Sequence, residues 1–350
     1  MATTMAARSP ARLNERPRVS WRDNMITLLL AIWMEAGGLL DGWAHANVPE
    51  LETFWTPWHA VYYSGFAATA AWVWVLVLRH WRLGKRGLAA VPVGYGLGLV
   101  GAAAWPLAGG LDALWHTVFG IERGAEILLS PTHLLLGLSE LLLLTSPLRA
   151  AWADPASPRA QKFGAFFPTL LSATLAAQVV GFFLMYAMAF LQLFEAAQVT
   201  EAVPAVLTTN LLLIGTMLLL LRRWQTPPGT FAVLFSAQAV LLNVTANFAA
   251  WPGILIMLIA GLAADLLIRA LRPAPSRPVA FRAVAALTSL TLWTIFMAVL
   301  SVTGTLDWSL PLSAGTVALA TGSSFALALL MAPPPVPLTA QVLQAEPAGR

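Results

Sequence analysis

The sequence predicts an all-α fold, that of a polytopic integral membrane protein with about ten transmembrane helices. Hydrophobic residues make up 58% of the chain and charged residues only 10%, and the mean hydropathy is +0.73. A soluble protein of 350 residues needs more polar surface than this composition supplies. Apolar runs of about 18 residues or more recur along the whole chain, and each is long enough to cross a hydrocarbon core of about 30 Å.

The predicted spans follow these apolar runs in chain order. They cover residues 24–46, 57–79, 89–115, 128–148, 163–190, 203–221, 230–248, 251–271, 281–303 and 309–332. The chain then divides into four parts, which are a basic cytoplasmic N-terminal segment (1–23), a four-helix region (24–148), a six-helix region of unknown role (163–332) and a Pro-rich tail predicted to be disordered (333–350).

The basic residues predict the orientation in the membrane. One arrangement places both termini on one side of the membrane, together with the connections that follow the second, fourth, sixth and eighth spans. That side then contains 19 of the 20 Lys and Arg residues, and only Arg123 lies on the other side. Because basic segments stay in the cytoplasm, both termini are predicted to be cytoplasmic in a multi-pass protein of the cell membrane. All histidines except His80 then lie on the extracytoplasmic side. This distribution accounts for the net charge of +4, so no nucleic-acid partner is expected.

Two turns on the extracytoplasmic side carry the same series of chemical groups. Residues 37–61 read GGLLDGWAHANVPELETFWTPWHAV, and residues 109–136 read GGLDALWHTVFGIERGAEILLSPTHLLL. Each has an Asp, a His four residues later, a Glu further on, and a Pro-x-His whose Pro follows that Glu by five residues. The first series is Asp41, His45, Glu52 and His59, and the second is Asp112, His116, Glu126 and His133.

The spacing predicts that each series converges at one point. An Asp and a His four residues apart share one face at the end of a helix. The returning helix begins with Thr-Pro at 56–57 or with Ser-Pro at 130–131, and a hydroxyl N-cap followed by Pro is a strong start signal. His59 and His133 then fall in the first turn of that helix. Two antiparallel helix ends therefore present one carboxylate and two imidazoles to a shared point.

These ligand types predict metal binding. Imidazole with carboxylate suits copper, zinc or iron, and the chain has no cysteine, which disfavours a closed structural zinc site. Glu52 and Glu126 are candidates for a fourth ligand or for a carboxylate that hydrogen-bonds the ligands. The alternative is a duplicated helix pair that keeps the pattern for packing alone. Packing does not require histidine, however, so metal binding is the favoured interpretation.

The pattern Asp-x2-Trp-His, followed by Thr/Ser-Pro-x-His, resembles the metal motif in the C subunit of the particulate methane and ammonia monooxygenases. Residues 112–116 carry this spacing, and residues 41–45 have the Trp one position earlier. That family consists of helical, copper-dependent oxygenases of the membrane. The resemblance covers residues 25–148, with Asp112 where the family has Asn and a longer interval between His116 and His133. It implies further membrane subunits, an electron donor and two copper sites, one at Asp41, His45 and His59 and the other at Asp112, His116 and His133.

Two deep carboxylates are candidates for a proton relay. Glu140 follows His133 by seven residues and so lies on the same helical face two turns deeper, and Glu35 lies at comparable depth in the first span. A hydrogen bond to a neighbouring helix is the alternative for both. Asp265, four residues before Arg269, predicts an ion pair at a helix end.

Two amides near the extracytoplasmic end of the seventh span are further polar candidates. Asn243 and Asn247 lie four residues apart on one helical face. Such side chains more often join helices than bind ligands, and the depth of this pair would let it approach the metal region.

Two functional hypotheses from different classes follow. The first is a copper-dependent oxidoreductase, monooxygenase-like, that oxidises a small apolar substrate, with zinc or iron as alternatives to copper and with no catalytic residue assigned. The second is a non-catalytic membrane protein that handles, senses or transports copper or another metal. The sequence favours the first, because Glu35 and Glu140 are the only deep polar candidates for a conduction path in the four-helix region.

Overall fold

The computed structural model describes residues 16–48, 55–120, 126–157, 162–192 and 199–332. Within these ranges the regular elements are helices, and no β-strand is among them. The predicted all-α class is therefore confirmed for this part of the chain. The predictions for residues 1–15 and for the tail 333–350 lie outside the described residues.

The helices follow one another with short connections. The α-helices are α1 (Trp21–Asn47), α2 (Pro57–Arg82), α3 (Gly96–Phe119), α4 (Glu126–Leu129), α5 (Pro131–Leu144), α6 (Ser146–Trp152), α7 (Phe163–Phe183), α8 (Ala189–Gln192), α9 (Val199–Arg223), α10 (Thr230–Thr245), α11 (Trp251–Leu271), α12 (Pro278–Val302) and α13 (Leu310–Met331). Two short 3-10 helices, Gly87–Ala90 and Met185–Ala187, precede α3 and α8.

Eight helices in the described part are long and apolar enough to cross a membrane, namely α1, α2, α3, α7, α9, α11, α12 and α13. The fourth predicted span is the pair α5 and α6, which is bent by 41° and makes a ninth span if counted as one. Pro147 in the first turn of α6 explains the break, because proline cannot continue the helical hydrogen bonds. The seventh is α10, whose 16 residues extend only about 24 Å. The described part of the chain thus has the helices of a multi-pass membrane protein, and fewer of them are full-length than the ten predicted spans.

The boundaries of α3 differ from the predicted span 89–115. The helix begins at Gly96 because Pro92 and Gly94, whose φ is +88°, interrupt the chain before it. It continues to Phe119 and ends at Gly120, whose φ of +81° is a conformation that favours glycine. Because α3 extends to Phe119, Asp112 and His116 lie within the last two turns of a regular helix.

Apolar side chains cover much of the outer surface of the helices. Leu107 in α3 is 63% exposed and Leu266 in α11 is 68% exposed, and large apolar residues of other helices are exposed in the same way. A continuous apolar surface of this kind is unfavourable in water but suits contact with lipid chains. The burial pattern therefore agrees with a membrane protein.

The helices of the two metal-motif stretches form two tightly packed pairs, α1 with α2 and α3 with α5. A Cβ atom on Gly37 would lie 2.5 Å from the Tyr62 Cα, and one on Gly65 would lie 2.5 Å from the Met34 nitrogen. Gly101 of α3 approaches the α5 backbone in the same way. Glycine allows these backbones to come close, which fixes the position of the helix ends above each crossing.

Two hydrophobic clusters form the interior. The first is built mainly from α1, α2, α3 and α5 and includes Trp105, and the second is built mainly from α7 and the helices that follow it. Helix α7 belongs to both, because Leu175 and Val179 pack in the first cluster and Leu170 and Ala173 in the second. The six-helix region is thus joined to the metal-motif region through α7.

Several basic segments meet at one end of the helices. The Val93 N–H donates to the Pro17 carbonyl at 2.9 Å, and Arg18 lies 3.3 Å from the Asp154 carboxylate. Arg223 donates to the Asp154 carbonyl at 2.9 Å. The N-terminal segment, the α2–α3 connection, the residues after α6 and the end of α9 therefore lie together, as the charge pattern predicts. That this end is cytoplasmic stays a prediction.

Candidate metal centre

The returning helices begin as the sequence predicts. The Thr56 hydroxyl accepts a hydrogen bond from the His59 N–H at 3.1 Å, and the Ser130 hydroxyl accepts one from the His133 N–H at 3.2 Å. In each case a proline occupies the next position, at the start of the helix. The cap fixes the first turn and with it the direction in which each histidine leaves the backbone.

The first candidate site, which we call site 1, consists of Asp41 and His45 from the end of α1 and His59 from the start of α2. The Asp41 Oδ2 atom lies 3.2 Å from His59 Nε2 and 3.8 Å from His45 Nε2. One ligand atom from each of the three residues lies within 4.8 Å of the others. The structure therefore brings together the three predicted residues of the first series.

The second candidate site, site 2, repeats this arrangement with Asp112 and His116 from the end of α3 and His133 from the start of α5. The Asp112 carboxylate lies 3.2 Å from His133 Nε2 and 3.6 Å from His116 Nε2. The three ligand atoms again lie within 4.8 Å of one another. Asp112 is almost completely buried, so its charge needs a partner in the site.

Neighbouring polar groups hold the ligands of site 2 in place. The Thr132 hydroxyl donates to Asp112 Oδ1 at 2.7 Å and lies 3.2 Å from the Ser130 hydroxyl. The His116 Nδ1 atom lies 3.3 Å from the Gly120 carbonyl oxygen, and its Nε2 atom faces the carboxylate. Contacts of this kind orient metal ligands. Sequence reasoning missed Thr132, although its place between the cap and His133 was a usable signal.

The geometry of both sites fits a metal ion. Metal bonds of about 2.0–2.2 Å place neighbouring ligands of a tetrahedral ion roughly 3.4 Å apart. The four separations between Asp oxygens and His nitrogens are 3.2 and 3.8 Å in site 1 and 3.2 and 3.6 Å in site 2. Three protein ligands leave a position open for a further ligand, as in catalytic sites. The donor set suits copper, zinc or iron.

The predicted additional ligands lie beyond what the structure shows. Glu52 is outside the described residues, and Glu126 is described only as the first residue of α4, without its side chain. Their role as a fourth ligand or as a hydrogen-bond partner of the ligands stays a prediction.

Both sites contribute to one cavity with a volume of about 370 Å³. Asp41 and His45 of site 1 and His133 of site 2 are among its lining residues. Its apolar walls include Leu136, Val179, Phe182 and Phe183. A cavity of this size, with apolar walls and a few converging polar groups, is typical of a site for a small ligand.

Tyr63 of α2 lies between the two sites. Its ring centroid is 6.1 Å from that of His59. Its hydroxyl oxygen is 2.8 Å from the position that a Cβ atom would take on Gly109, one turn before Asp112. Tyr63 therefore packs between the sites in a way that no spacing rule in the sequence indicated.

Two further carboxylates line the same cavity. Glu35 of α1 and Glu140 of α5 are 7% and 5% exposed. The Tyr62 hydroxyl of α2 donates a hydrogen bond to Glu140 Oε2 at 2.7 Å. For Glu140 the alternative of a hydrogen bond to a neighbouring helix is thus observed. Tyr62 was missed because only the tertiary fold brings its hydroxyl to Glu140.

The turn that follows α10 is hydrogen-bonded to the end of α1, close to site 1. The Trp43 indole donates to Asn247 Oδ1 at 2.7 Å, and Asn247 Nδ2 donates to Asn47 Oδ1 at 2.5 Å. Asn247 has a φ of +49°, a left-handed conformation that asparagine tolerates better than most residues. Asn243, by contrast, donates to the Ala239 carbonyl of its own helix. Asn247 therefore joins helices near the candidate centre, as the alternative for this pair predicted.

Asp265 is not placed as the sequence suggested. Its carboxylate accepts hydrogen bonds from the Phe231 N–H at 3.3 Å and the Ala232 N–H at 3.0 Å, in the first turn of α10. The first N–H groups of a helix have no partner within the helix, and a carboxylate there is also favoured by the helix dipole. Asp265 thus caps α10 rather than pairing with Arg269.

No protein-family model, characterised protein or solved structure matches this chain.

Proposed function

We propose that this chain is a multi-pass membrane metalloprotein that binds copper at site 1 and site 2. The observation that carries the proposal is the convergence, twice, of one carboxylate and two imidazoles with their ligand atoms within 4.8 Å. Four of the five histidines of the chain take part. Such use of histidine is unexplained by packing and is typical of metal ligation.

Copper is the metal that the donor set and the sequence resemblance favour together. Imidazole nitrogens are good ligands for copper, and the chain offers no thiolate for a closed zinc site. Bound copper would supply one-electron redox chemistry and a coordination position for dioxygen. Zinc and iron are accepted by the same donor types and are therefore alternative outcomes of a metal analysis.

We further propose that the protein oxidises a small apolar substrate, as a monooxygenase-like subunit. The cavity beside the two sites supports this, because its walls of Leu136, Phe182 and Phe183 suit an apolar molecule. A substrate in that cavity would lie next to Asp41, His45 and His133. An electron donor and further membrane subunits belong to the proposal, since imidazoles and carboxylates do not supply electrons.

The sites are proposed to face the extracytoplasmic side. Asp41 follows Trp21, the first residue of α1, by 20 positions, or about 30 Å along the helix. The start of α1 lies with the basic segments, where Asp23 pairs with Arg79 at 2.9 Å. Since basic segments favour the cytoplasm, the opposite helix ends are assigned to the outside.

A second candidate function is metal handling or transport without catalysis. The observation that favours it is that Glu35 and Glu140 line the cavity below the two sites. Glu35 precedes Asp41 by six residues and Glu140 follows His133 by seven, so they lie about 9 and 10.5 Å deeper along α1 and α5. These carboxylates extend the polar lining inward from the metal ligands.

Labelled dioxygen separates the two functions. Copper-loaded protein in detergent is incubated with a chemical reductant, ¹⁸O₂ and a small hydrocarbon or ammonia. We expect ¹⁸O in the product of the wild type and of His80→Ala, a matched variant whose histidine lies outside both sites, and none with His133→Ala. Copper bound by the wild type without labelled product would overturn the oxidation proposal and favour metal handling.

A further inference from the structure

The cavity contains a pair of acidic side chains that the metal sites do not use. Glu35 of α1 and Glu140 of α5 are both more than nine-tenths buried and both line the cavity. The Tyr62 hydroxyl satisfies Glu140 Oε2 at 2.7 Å. The second oxygen of Glu140, Oε1, and the Oε1 atom of Glu35 have no hydrogen-bond partner among the described residues. Two buried carboxyl oxygens therefore remain to be satisfied inside the cavity.

No cationic Lys or Arg side chain balances this pair. Among the described residues that line the cavity there is neither lysine nor arginine. The other titratable groups that face the cavity are Asp41 and His45 from α1, Tyr62 from α2, His133 from α5 and Tyr186 after α7, while α10 contributes Thr245 and Ala246. Any positive charge near the carboxylates must then come from the histidines or from a bound ion.

Two ionised carboxylates with no lysine or arginine beside them are unfavourable in a buried, largely apolar cavity. Burying an ionised carboxylate in an apolar interior costs far more than burying a neutral acid that is hydrogen-bonded. Binding of one proton lowers this cost, because the proton neutralises one carboxylate and provides an O–H donor for an oxygen that lacks a partner. Pairs of carboxyl groups that share one site retain a proton for the same reason.

We propose that Glu35, Glu140 and Tyr62 form a proton-binding site in the cavity, and that this site releases its proton when metal binds at sites 1 and 2. The second half of the proposal rests on the proposed metal binding. In the release step the acid O–H bond breaks, the electron pair stays on the carboxylate, and the proton leaves to water. The carboxylate that remains balances one positive charge of the bound metal.

The placement of the pair supports this coupling. Glu35 lies six residues from Asp41 on α1, and Glu140 lies seven residues from His133 on α5. Charges about 10 Å apart are screened strongly in water but only weakly in an apolar interior. Tyr62 donates its hydrogen bond to the carboxylate form of Glu140 and so favours the charged state that follows proton release.

Proton release on metal binding tests the proposal. Copper(II) is added to the detergent-solubilised protein in a pH-stat, and the protons released are counted for the wild type, Glu35→Gln and Glu140→Gln. We expect both variants to keep their copper but to release about one proton fewer per protein than the wild type. Glu201→Gln is the matched control, since it makes the same change at an exposed carboxyl group of α9 and is expected to release as many protons as the wild type.

Infrared spectroscopy tests the proton site without metal. The metal-free wild type is expected to show a protonated carboxylic-acid band that is absent in Glu140→Gln, shifted in Tyr62→Phe and lost from the wild type on copper addition. Equal proton release in all proteins, or no acid band, would overturn the proposal. If the wild type bound one more equivalent of metal and both Gln variants lost that equivalent, the glutamate pair would be a cation site and the proposal would be overturned. If the wild type bound no metal, the acid band alone would decide the proton site, while the proposed function would fail.

Discussion

The His133 Nε2 atom lies 3.2 Å from Asp112 Oδ1, across the ends of two antiparallel helices. The same 3.2 Å separates His59 Nε2 from Asp41 Oδ2 in the other helix pair. In both pairs the aspartate comes from the helix that ends and the histidine from the capped first turn of the helix that returns. The repeat in the sequence is thus a repeat in three dimensions, which a packing role alone does not require.

Thr132→Val is expected to weaken metal binding at site 2. The substitution removes the hydroxyl that donates to Asp112 Oδ1 at 2.7 Å while keeping the shape of the side chain. Loss of such a supporting contact typically lowers metal affinity by about 10- to 100-fold. Competition with a chelator measures the affinity, and site 1 should keep its wild-type value.

Thr117→Val is the matched control for this variant. The Thr117 hydroxyl bonds only the Ala113 carbonyl of its own helix and is exposed, so its loss should leave both affinities unchanged. Equal affinities in Thr132→Val and Thr117→Val would show that the contact with Asp112 has no part in metal binding.

Thr56→Ala is expected to destabilise the start of α2. The lost cap accepts the His59 N–H at 3.1 Å, and removal of a threonine cap lowers the free energy of unfolding by about 1 kcal/mol. Because the cap also fixes the turn that carries His59, the copper affinity of site 1 should fall as well. Unfolding in a mixed-detergent titration gives the stability. The control is Ser64→Ala, which removes a hydroxyl that bonds within α2 and should change neither the stability nor the copper affinity. If Thr56→Ala kept the wild-type stability and copper affinity, the assignment of Thr56 as the cap would be contradicted.

Gly65→Ala is expected to separate α1 from α2. A Cβ atom at this position would lie 2.5 Å from the Met34 nitrogen, so the two backbones have to move apart. Overpacking of this kind costs about 1–3 kcal/mol of unfolding free energy, and metal should be lost from site 1 before site 2. Gly110→Ala serves as the control because nothing lies within 4 Å of its Cβ position. If Gly65→Ala and Gly110→Ala lost metal to the same extent, the close packing of α1 against α2 would not be what stabilises site 1.

Asn247→Gly is expected to loosen the end of α1. Glycine accepts the φ of +49° but lacks the amide that bonds Trp43 and Asn47. The loss of two hydrogen bonds should lower the unfolding free energy by about 1–3 kcal/mol and weaken metal binding at site 1. Asn247→Asp keeps the acceptor for the Trp43 indole and should recover part of the loss. If Asn247→Gly bound metal at site 1 as the wild type does, this link between α10 and α1 would have no bearing on the centre.

Local signals explain what the sequence predicted well. The hydroxyl caps before His59 and His133, and the four-residue spacing of Asp112 and His116, depend on a few neighbouring residues, and the structure has all of them. The all-helical class follows from long apolar runs, which likewise need no knowledge of the tertiary fold.

Contacts between distant segments explain what the sequence did not predict. Tyr62 and Glu140 are 78 residues apart, so only the tertiary fold pairs them. Asn210 is another example, because its side chain joins α9 to α12 and α13 by accepting from Ser289 and Trp293 and donating to Ser324. The capping of α10 by a residue of α11, Asp265, is a third. For Asp265 the local sequence offers a simpler partner, Arg269, which the fold does not use.

The metal content of the purified, detergent-solubilised protein tests directly whether site 1 and site 2 bind metal. We expect about two equivalents of copper for the wild type and for His80→Ala, with the loss of about one equivalent in His45→Ala and in His133→Ala. The variants should still insert and fold, which far-UV circular dichroism checks. If the wild type held no metal after reconstitution with copper, zinc or iron, the two Asp/His/His groups would be hydrogen-bonded helix ends and not metal sites.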